Sequence, residues 1–266
     1  MRLITFNTAK SEPPYSLRLE WIAEALASLR PDIVLLQEAL LSEDGRFNTA
    51  AWLATALKMD HRSFAVRYKL RPVAHEALWT WSSPAVLARW PISQIRPIPL
   101  PWQETDGERM ALGALVETPV GPLRLVNAHL SHLPSSGLRR AQIATILASR
   151  WLAGPAVARV IGGDLNATPD SPELADLLGE KNGWIVEDAY ATAGGAPSGT
   201  AFDYQSGRPT GRRIDHVLMV RRPDEAAARV VGAQIVLDHL VANRHLSDHF
   251  GVLVTIDLPD SGAQGL

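Results

Sequence analysis

Carboxylate, amide and imidazole side chains recur along this sequence at points where apolar runs stop. The run in "VIGGDLNATPDS" ends in two glycines and is followed at once by Asp164 and Asn166. The full set is Asn7, Glu38, Asn127, His129, Asp164, Asn166, Asp215, Asp248 and His249. Oxygen ligands of this kind hold hard cations, and histidine exchanges protons near neutral pH. These residue types at strand ends therefore suit a site that binds metal and moves protons.

Each of these residues taken singly has a simpler explanation. Asn7 fits a turn, Glu38 fits a solvated strand end, and "DLNATPDS" fits an Asx turn leading into a capped helix. A single histidine such as His129 packs in a core more often than it acts in catalysis. The joint occurrence favours one shared site, because buried charge is costly unless it is paired or bound to a metal.

The composition limits what such a site can contain. The 266 residues include no cysteine, which excludes disulfides, thiol nucleophiles and cysteine-bound zinc. Oxygen and histidine remain as metal ligands, so a hard metal is expected. Lys and Arg total 26 against 28 Asp and Glu, so no strong attraction to the nucleic-acid backbone is expected.

The elements that must position these residues alternate along the chain. "RLITFN" and "DIVLLQE" are typical of strands, and "YSLRLEWIAEALASL" between them has helical periodicity. A second helix is expected around Arg46 to Leu57. Short β runs follow, then a helical "SSGLRRAQIATILASRWLA", and then further strands such as "IDHVLMV". This order predicts a mixed α/β fold. No repeat or linker divides the chain, so we expect one domain over 1–258 and a frayed tail at 259–266.

The ordered motifs resemble those of the endonuclease/exonuclease/phosphatase superfamily. They are "TFN" with Asn7, "LLQE" with Glu38, "VNAHL" with Asn127 and His129, "GGDLNATPDS" with Asp164 and Asn166, "RRIDHVL" with Asp215, and "LSDHFGV" with Asp248 and His249. "GDLN" alone is weakly specific, whereas the ordered set spans nearly the whole chain. The resemblance implies a four-layer αββα sandwich, with two mixed β-sheets flanked by helices and a site at one end.

The resemblance also implies a metal-dependent phosphoesterase and a role for each residue. Glu38 would be the principal ligand of Mg²⁺ or Mn²⁺, with Asn7 nearby and Asp248 completing the metal site or acting through water. Asp164 would orient or deprotonate the attacking water, and the Asn166 amide would donate to the phosphoryl group.

His129 and His249 would face the phosphate from either side and stabilise developing charge. Asp215 would hold the tautomer and orientation of His249. Asn127 is expected to support substrate binding by hydrogen bonding. Arg109 is expected to contact phosphate or substrate, with an ordinary surface position as the alternative. His216 should point to the opposite face by strand alternation and be structural.

These motifs do not select the phosphoester. We expect a phosphodiester or phosphomonoester of a small molecule or lipid head group, with a DNA or RNA nuclease and a non-catalytic phosphate-binding module as alternatives. Abasic-site endonucleases typically carry a Trp-rich segment before "R-x-D" and a small or Pro residue after "SDH", which this chain lacks. Trp102, Arg139 and Arg140 lie in stretches that could read the substrate, although core packing and a solvated helix face are the simpler expectations.

The sequence also favours a cytoplasmic monomer. "MRLITFN" at the start lacks the features of a secretory signal. No apolar run approaches the roughly 20 residues that a membrane helix needs.

Overall fold

Two large β-sheets form the centre of the protein, which a computed structural model describes at residues 1–203, 206 and 208–259. The strands are β1 (Arg2–Asn7), β2 (Ile33–Ser42), β3 (Asp60–Ser63), β4 (Lys69–Val73), β5 (Glu76–Ala88), β6 (Ile92–Leu100), β7 (Arg109–Thr118), β8 (Gly121–His129), β9 (Ala158–Asp164), β10 (Gly179–Lys181), β11 (Trp184–Asp188), β12 (Phe202–Asp203), β13 (Arg208–Pro209), β14 (Asp215–Arg221), β15 (Arg229–Val236) and β16 (Gly251–Asp257). The helices are α1 (Tyr15–Leu29), α2 (Thr49–Leu57), α3 (Ser136–Leu147), α4 (Arg150–Ala153), α5 (Pro172–Ala175) and α6 (Ala189–Thr192).

Both large sheets are mixed. The first has the strand order β15, β16, β1, β2, β5, β3, with β4 also paired to β5. The second has the order β10, β11, β14, β9, β8, β7, β6. β1 runs parallel to β2, and β8 runs parallel to β9. Hairpin partners such as β7 and β8 are antiparallel. Parallel neighbours bring the ends of β8 and β9 to the same sheet edge.

Apolar side chains hold these layers together. Leu35 of the first sheet and Leu125 of the second belong to one buried group between the sheets. Ile22 of α1 belongs to the group on the outer face of the first sheet, and Ile146 of α3 to the group on the outer face of the second. The order of layers is therefore helix, sheet, sheet, helix, which confirms the predicted αββα sandwich.

The boundaries of the predicted elements differ in places from those of the structure. The helix expected from about residue 46 begins at Thr49, because the side chain of Asn48 caps it by accepting a hydrogen bond from the Ala51 N–H. The tail expected at 259–266 lies, after Pro259, outside the described residues. Among the helices described, none is both long and apolar enough to cross a bilayer. One domain over 1–258 stays a prediction.

Candidate active site

Three adjacent strands of the second sheet bring His129, Asp164 and Asp215 side by side. His129 ends β8, Asp164 ends β9 and Asp215 begins β14. The strand register pairs Asp164 with both of the others. Gly163 permits this close approach, since its φ is 142° and a Cβ there would lie 1.8 Å from the carbonyl oxygen of Ala128. The glycines before Asp164 are thus part of how the site is assembled.

The first sheet reaches this cluster through Asn7 at the end of β1. Its Nδ2 donates a hydrogen bond of 3.1 Å to Oδ2 of Asp164, and its Oδ1 accepts one of 3.0 Å from the Ala9 N–H. Its carbonyl oxygen accepts a hydrogen bond of 2.7 Å from the Ser247 hydroxyl, which fixes the segment that leads to His249. Asn7 therefore joins the two sheets at the site.

Two imidazoles face one carboxylate oxygen. Nε2 of His129 lies 3.4 Å from Oδ2 of Asp164, and Nε2 of His249 lies 3.7 Å from the same atom. Nδ1 of His249 donates a 2.9 Å hydrogen bond to Oδ2 of Asp215, which is fully buried. The sequence interval between Asp215 and His249 is 34 residues, and the fold brings them into contact.

Burial and charge set different protonation states for the two histidines. Burial alone would lower the pKa of His249, but the carboxylates of Asp215 and Asp164 overcome this effect and raise it to about 10. Burial, together with the positive charges of Arg109 and neighbouring cations, holds the pKa of His129 well below its usual range. At neutral pH His249 is therefore a cation, and His129 is a neutral imidazole.

Asp164 has the protonation behaviour that suits a general base. Burial, with a contribution from the charge of Asp215, raises the pKa of Asp164 to about 7, while His249 and hydrogen bonds to its oxygens oppose the rise. A base with a pKa near the working pH is the efficient choice for proton transfer.

We expect the metal-free protein to lose stability as the pH rises from neutral toward 10. The pKa of His249 is about 10 in the folded state, above the ordinary value of about 6.5 in the unfolded chain. The folded state thus holds a proton that the unfolded chain releases. This stabilisation, on the order of 5 kcal/mol, is fully present below the pKa of the unfolded chain and is lost as the pH rises through the pKa of the folded state.

Urea unfolding in the presence of a chelator, measured from pH 7 to pH 10, tests this expectation. Asp215→Asn removes the main charge that stabilises protonated His249. The free energy of unfolding of this variant should therefore fall less steeply with rising pH than that of the wild type. Equal slopes for both proteins would contradict the assignment of the titration to His249.

Glu38 does not lie at a strand end, contrary to the sequence-based expectation. β2 continues to Ser42, and its register against β5 shifts between Leu36 and Ala39. Glu38 has a φ of 56°, in the left-handed region. This bulge turns the Glu38 side chain out of the regular alternation of β2, and its Oε1 lies 4.0 Å from Nδ1 of His129.

Lys10 forms an ion pair with Glu38 and is a site residue that sequence reasoning missed. It lies after β1, in a loop where Ala9 and Lys10 have φ values of 52° and 46°. No motif marks it, because a lone lysine in a loop is ordinary in sequence. Its ammonium group supplies the positive charge next to Glu38 that a bound cation would supply.

Asn166 and Asp248 lie at the edges of the cluster. The Asn166 N–H donates a 3.0 Å hydrogen bond to Oδ1 of Asp164, and its Nδ2 donates one of 3.1 Å to the carbonyl oxygen of Leu130. An amide carries two N–H groups, so this contact uses one of them. Oδ1 of half-buried Asp248 lies 3.2 Å from the hydroxyl oxygen of Ser247, whose single proton is used in the shorter hydrogen bond to Asn7.

The structure corrects the expected substrate-binding role of Asn127. Its Nδ2 donates to the carbonyl oxygens of Leu36 at 2.7 Å and Ala85 at 2.8 Å. Its Oδ1 accepts a 2.7 Å hydrogen bond from Gln37, and the side chain is fully buried. Both amide N–H groups are used, so Asn127 connects the two sheets and has none left for a substrate.

Asn127→Leu is therefore expected to lower the free energy of unfolding by about 3 kcal/mol, because buried carbonyl oxygens and the Gln37 amide lose their partner. Urea denaturation measures the loss. Gln94→Leu, at an exposed amide on β6, is a matched control expected to have little effect. An equally small effect of Asn127→Leu would contradict the connecting role.

The structure also corrects both expectations for Arg109, which neither faces a substrate nor lies on the surface. Its side chain is 3% exposed, and its Nε and Nη2 donate to Asp106 at 3.0 Å and 2.5 Å. Its Nη1 donates to the carbonyl oxygen of His129 at 3.4 Å. Arg109 thus holds the end of β8 in place, and its guanidinium group is occupied.

The other residues singled out in the sequence lie away from the cluster. Nε2 of His216 donates a 2.8 Å hydrogen bond to the carbonyl oxygen of Ala167, as expected for a structural histidine. Arg139 pairs with buried Glu173 and does not lie on a solvated face, whereas Arg140 pairs with exposed Asp176. Trp102 is 50% exposed.

Two groups of residues could hold a divalent cation. Asp164, Asp215 and His249 each place a ligand atom within 4.8 Å of the others, and Oδ1 of Asp215 is buried with no hydrogen-bond partner among the described residues. A metal bound there through His249 would have to displace a proton that both carboxylates stabilise. Glu38 offers a hard oxygen ligand without that cost. The carboxylate-rich donors fit Mg²⁺ or Mn²⁺.

Comparisons with known proteins agree on the family and the fold. A sequence model described as "Endonuclease/Exonuclease/phosphatase family" matches residues 4–249. No curated protein sequence matches. Similar solved structures include a family protein from Leptotrichia buccalis (17% identity, TM-score 0.73, 97% of this chain and 100% of that chain). Others are D. rerio TDP2 complexed with single strand DNA product (19%, 0.69, 97% and 98%) and a Bacteroides thetaiotaomicron mannosyl-6-phosphatase (17%, 0.74, 96% and 99%). At these identities, the likeness to solved structures shows the fold alone.

Proposed function

The chain belongs to the endonuclease/exonuclease/phosphatase family, whose members are generally metal-dependent phosphoesterases, and from this premise we propose that it hydrolyses a phosphoester of a small molecule or lipid head group. The observation that supports the proposal most is the buried Asp164 carboxylate with the Nε2 atoms of His129 and His249 at 3.4 Å and 3.7 Å. A general base next to two imidazole groups can supply the proton transfer and the stabilisation of developing charge that phosphoester hydrolysis needs.

Asp164 orients the attacking water and takes its proton. The P–O bond to the new oxygen forms as the bond to the leaving oxygen breaks, and the leaving oxygen takes a proton from solvent, which yields an alcohol and a phosphate. His249 is a cation at neutral pH, and its Nε2–H stabilises negative charge on the phosphoryl oxygens. Asp215 accepts the hydrogen bond from Nδ1 of His249 and so keeps Nε2 directed at the site. Neutral His129 and the second N–H of Asn166 are further donors.

Glu38 would hold the divalent cation, with Asn7 and Asp248 nearby. When bound, the cation neutralises charge on the non-bridging oxygens. The ammonium group of Lys10 pairs with Oε1 of Glu38, so a cation held by Glu38 would share this carboxylate with Lys10 or compete with it.

The charge balance favours a small substrate over bulk DNA. The formal net charge is −2, which gives weak attraction to a polyanion. A nuclease is the second candidate, because one similar structure is complexed with a single strand DNA product. Another similar structure is a phosphatase of a sugar phosphate. A monomeric state and a cytoplasmic location stay predictions.

A substrate panel tests the proposal. Bis-p-nitrophenyl phosphate, p-nitrophenyl phosphate and supercoiled plasmid are incubated with the protein in Mg²⁺, Mn²⁺ or EDTA, with His249→Ala as the control for contaminating enzymes. Metal-dependent cleavage of either small ester without plasmid nicking supports the proposal. Plasmid nicking that His249→Ala abolishes would replace it with a nuclease. No cleavage of any phosphoester would leave only a phosphate-binding module.

A further inference from the structure

Arg67 carries a half-buried guanidinium group whose Nε has no hydrogen-bond acceptor among the described residues. Its Nε is shielded from solvent and has no hydrogen-bond partner in the part of the chain that the structure describes. Three more deeply buried arginines are paired with carboxylates: Arg109 with Asp106, Arg213 with Asp188 and Arg159 with Glu225. Nε of Arg221 also has no partner among the described residues, but Nη1 of that side chain donates to the carbonyl oxygen of Arg222. A shielded donor without a partner costs about 1–3 kcal/mol, so hydrogen bonding within the protein does not explain the position of this side chain.

The carboxylate on one side of Arg67 is already occupied. The guanidinium group lies over Gly107, where a Cβ would be 3.7 Å from Nε. Neighbouring Asp106 is buried and accepts two hydrogen bonds from Arg109, and Nδ1 of His132 lies 2.6 Å from its Oδ1. Asp106 thus serves Arg109 and His132, while the cation of Arg109 repels that of Arg67.

The carboxylate on the other side is occupied as well. Glu38 is close enough to influence the ionisation of Arg67 but is ion-paired with Lys10. Arg67 and Lys10 both contribute to the positive potential at His129. The Glu38 side of the site therefore presents positive charge that exceeds what the protein's own carboxylates neutralise.

The backbone holds Arg67 in this position. Its φ is 59°, an unfavourable conformation for a residue with a side chain. The carbonyl oxygen of Val66 accepts a 2.8 Å hydrogen bond from the Ser82 N–H, and that of Arg67 accepts one of 3.1 Å from Arg71. The ring of Tyr68 stacks on Trp79 with centroids 4.9 Å apart. Contacts on both sides thus fix the strained residue.

We propose that Arg67 binds the phosphate of the substrate on the Glu38 side of the site. This inference rests on the proposed function for the identity of the anion. The planar guanidinium group can donate two parallel hydrogen bonds to phosphate oxygens, which a lysine cannot do. The half-buried guanidinium group can offer its Nη atoms to these oxygens, and the charge of the phosphate offsets the repulsion between Arg67 and Arg109.

Titration calorimetry with inorganic phosphate tests the proposal in wild type, Arg67→Met and Arg67→Lys. We expect the Kd for phosphate to rise about tenfold in Arg67→Met, which corresponds to about 1.4 kcal/mol, and less in Arg67→Lys. The Tm of Arg67→Met should equal or exceed that of the wild type, because no protein hydrogen bond of the guanidinium group is lost. Arg89→Met, at a 54% exposed arginine side chain, is the matched control and should change neither value.

An unchanged Kd for phosphate in Arg67→Met would overturn the proposal, and so would a lowered Tm with unchanged phosphate binding, which indicates a structural role. If Arg67→Met does not fold, the Kd of Arg67→Lys decides the matter. Failure of the proposed function is distinguishable from failure of this inference. A wild type that hydrolyses no phosphoester but binds phosphate through Arg67 would contradict the proposed hydrolysis and support phosphate binding by Arg67. Hydrolysis with a KM that Arg67→Met does not change would contradict Arg67 alone.

Discussion

Asp164→Asn is expected to lower kcat for phosphoester hydrolysis by about 10²- to 10⁴-fold, the range typical of a lost general base. The amide has nearly the shape of the carboxylate but cannot take a proton from water. It also removes one of the two negative charges that keep His249 protonated. Stability should change little, because removal of a buried charge offsets the loss of the hydrogen bond that Asn7 donates to Oδ2. Steady-state kinetics on bis-p-nitrophenyl phosphate measure kcat, and urea denaturation measures the stability.

Asp170→Asn is the matched control for this variant. Asp170 lies six residues later, on the same loop, and is exposed, so the same chemical change should leave kcat unchanged. A kcat of Asp164→Asn close to that of the wild type would show that another group activates the water.

Glu38→Gln is expected to raise the Kd for Mg²⁺ and to lower kcat/KM by at least about 100-fold at limiting Mg²⁺. A neutral amide is a weaker ligand for a hard dication, and the variant also loses the ion pair with Lys10. Calorimetry with Mg²⁺ alone measures the affinity without reference to turnover. Excess metal should restore part of the activity, because the remaining oxygen ligands are intact.

A variant in the cluster of Asp164, Asp215 and His249 distinguishes that possible metal site from the one at Glu38. Asp215→Asn should leave the Kd for Mg²⁺ within about threefold of the wild type, if Glu38 is the principal ligand. Glu117→Gln, at an exposed carboxylate on β7, is the control for charge removal alone. Loss of Mg²⁺ binding in Asp215→Asn but not in Glu38→Gln would place the metal at the cluster of Asp164, Asp215 and His249.

Local patterns in the sequence predicted a mixed α/β fold and most of the residues at strand ends, whereas the order of layers was implied by the family resemblance. Apolar periodicity identifies strands and helices, and parallel pairing delivers the ends of β8 and β9 to one edge. Contacts across the fold have no such signature. The Asp215–His249 pair was anticipated only through the family resemblance, because nothing local connects residues on β14 and before β16.

Asn127 shows why spacing alone can mislead. It lies two residues before His129, so both side chains share a face of β8. Two residues are about 7 Å along a strand, and that distance places Asn127 in the interior while His129 reaches the edge. Depth along the strand, which sequence does not reveal, separates a connecting residue from a catalytic one.

Loop conformation sets the positions of three charged side chains at or near the site: Lys10, Arg67 and Arg109. Arg109 is neutralised by Asp106, three residues earlier, because the intervening chain turns back on itself. Lys10 and Arg67 both have positive φ values, which no composition or periodicity predicts. Positions of charged side chains on such loops are set by tertiary contacts, so the structure was needed to find them.

The central claim is that the Asp164 cluster hydrolyses phosphoesters with a divalent metal, and one rate measurement tests it most directly. Initial rates on bis-p-nitrophenyl phosphate are measured for identically purified wild type and Asp164→Asn in Mg²⁺, after EDTA, and after Mg²⁺ is restored. We expect turnover by the wild type that EDTA abolishes and Mg²⁺ recovers, with almost none from the variant. Equal rates for the two proteins, or a wild-type rate that EDTA does not change, would contradict the account.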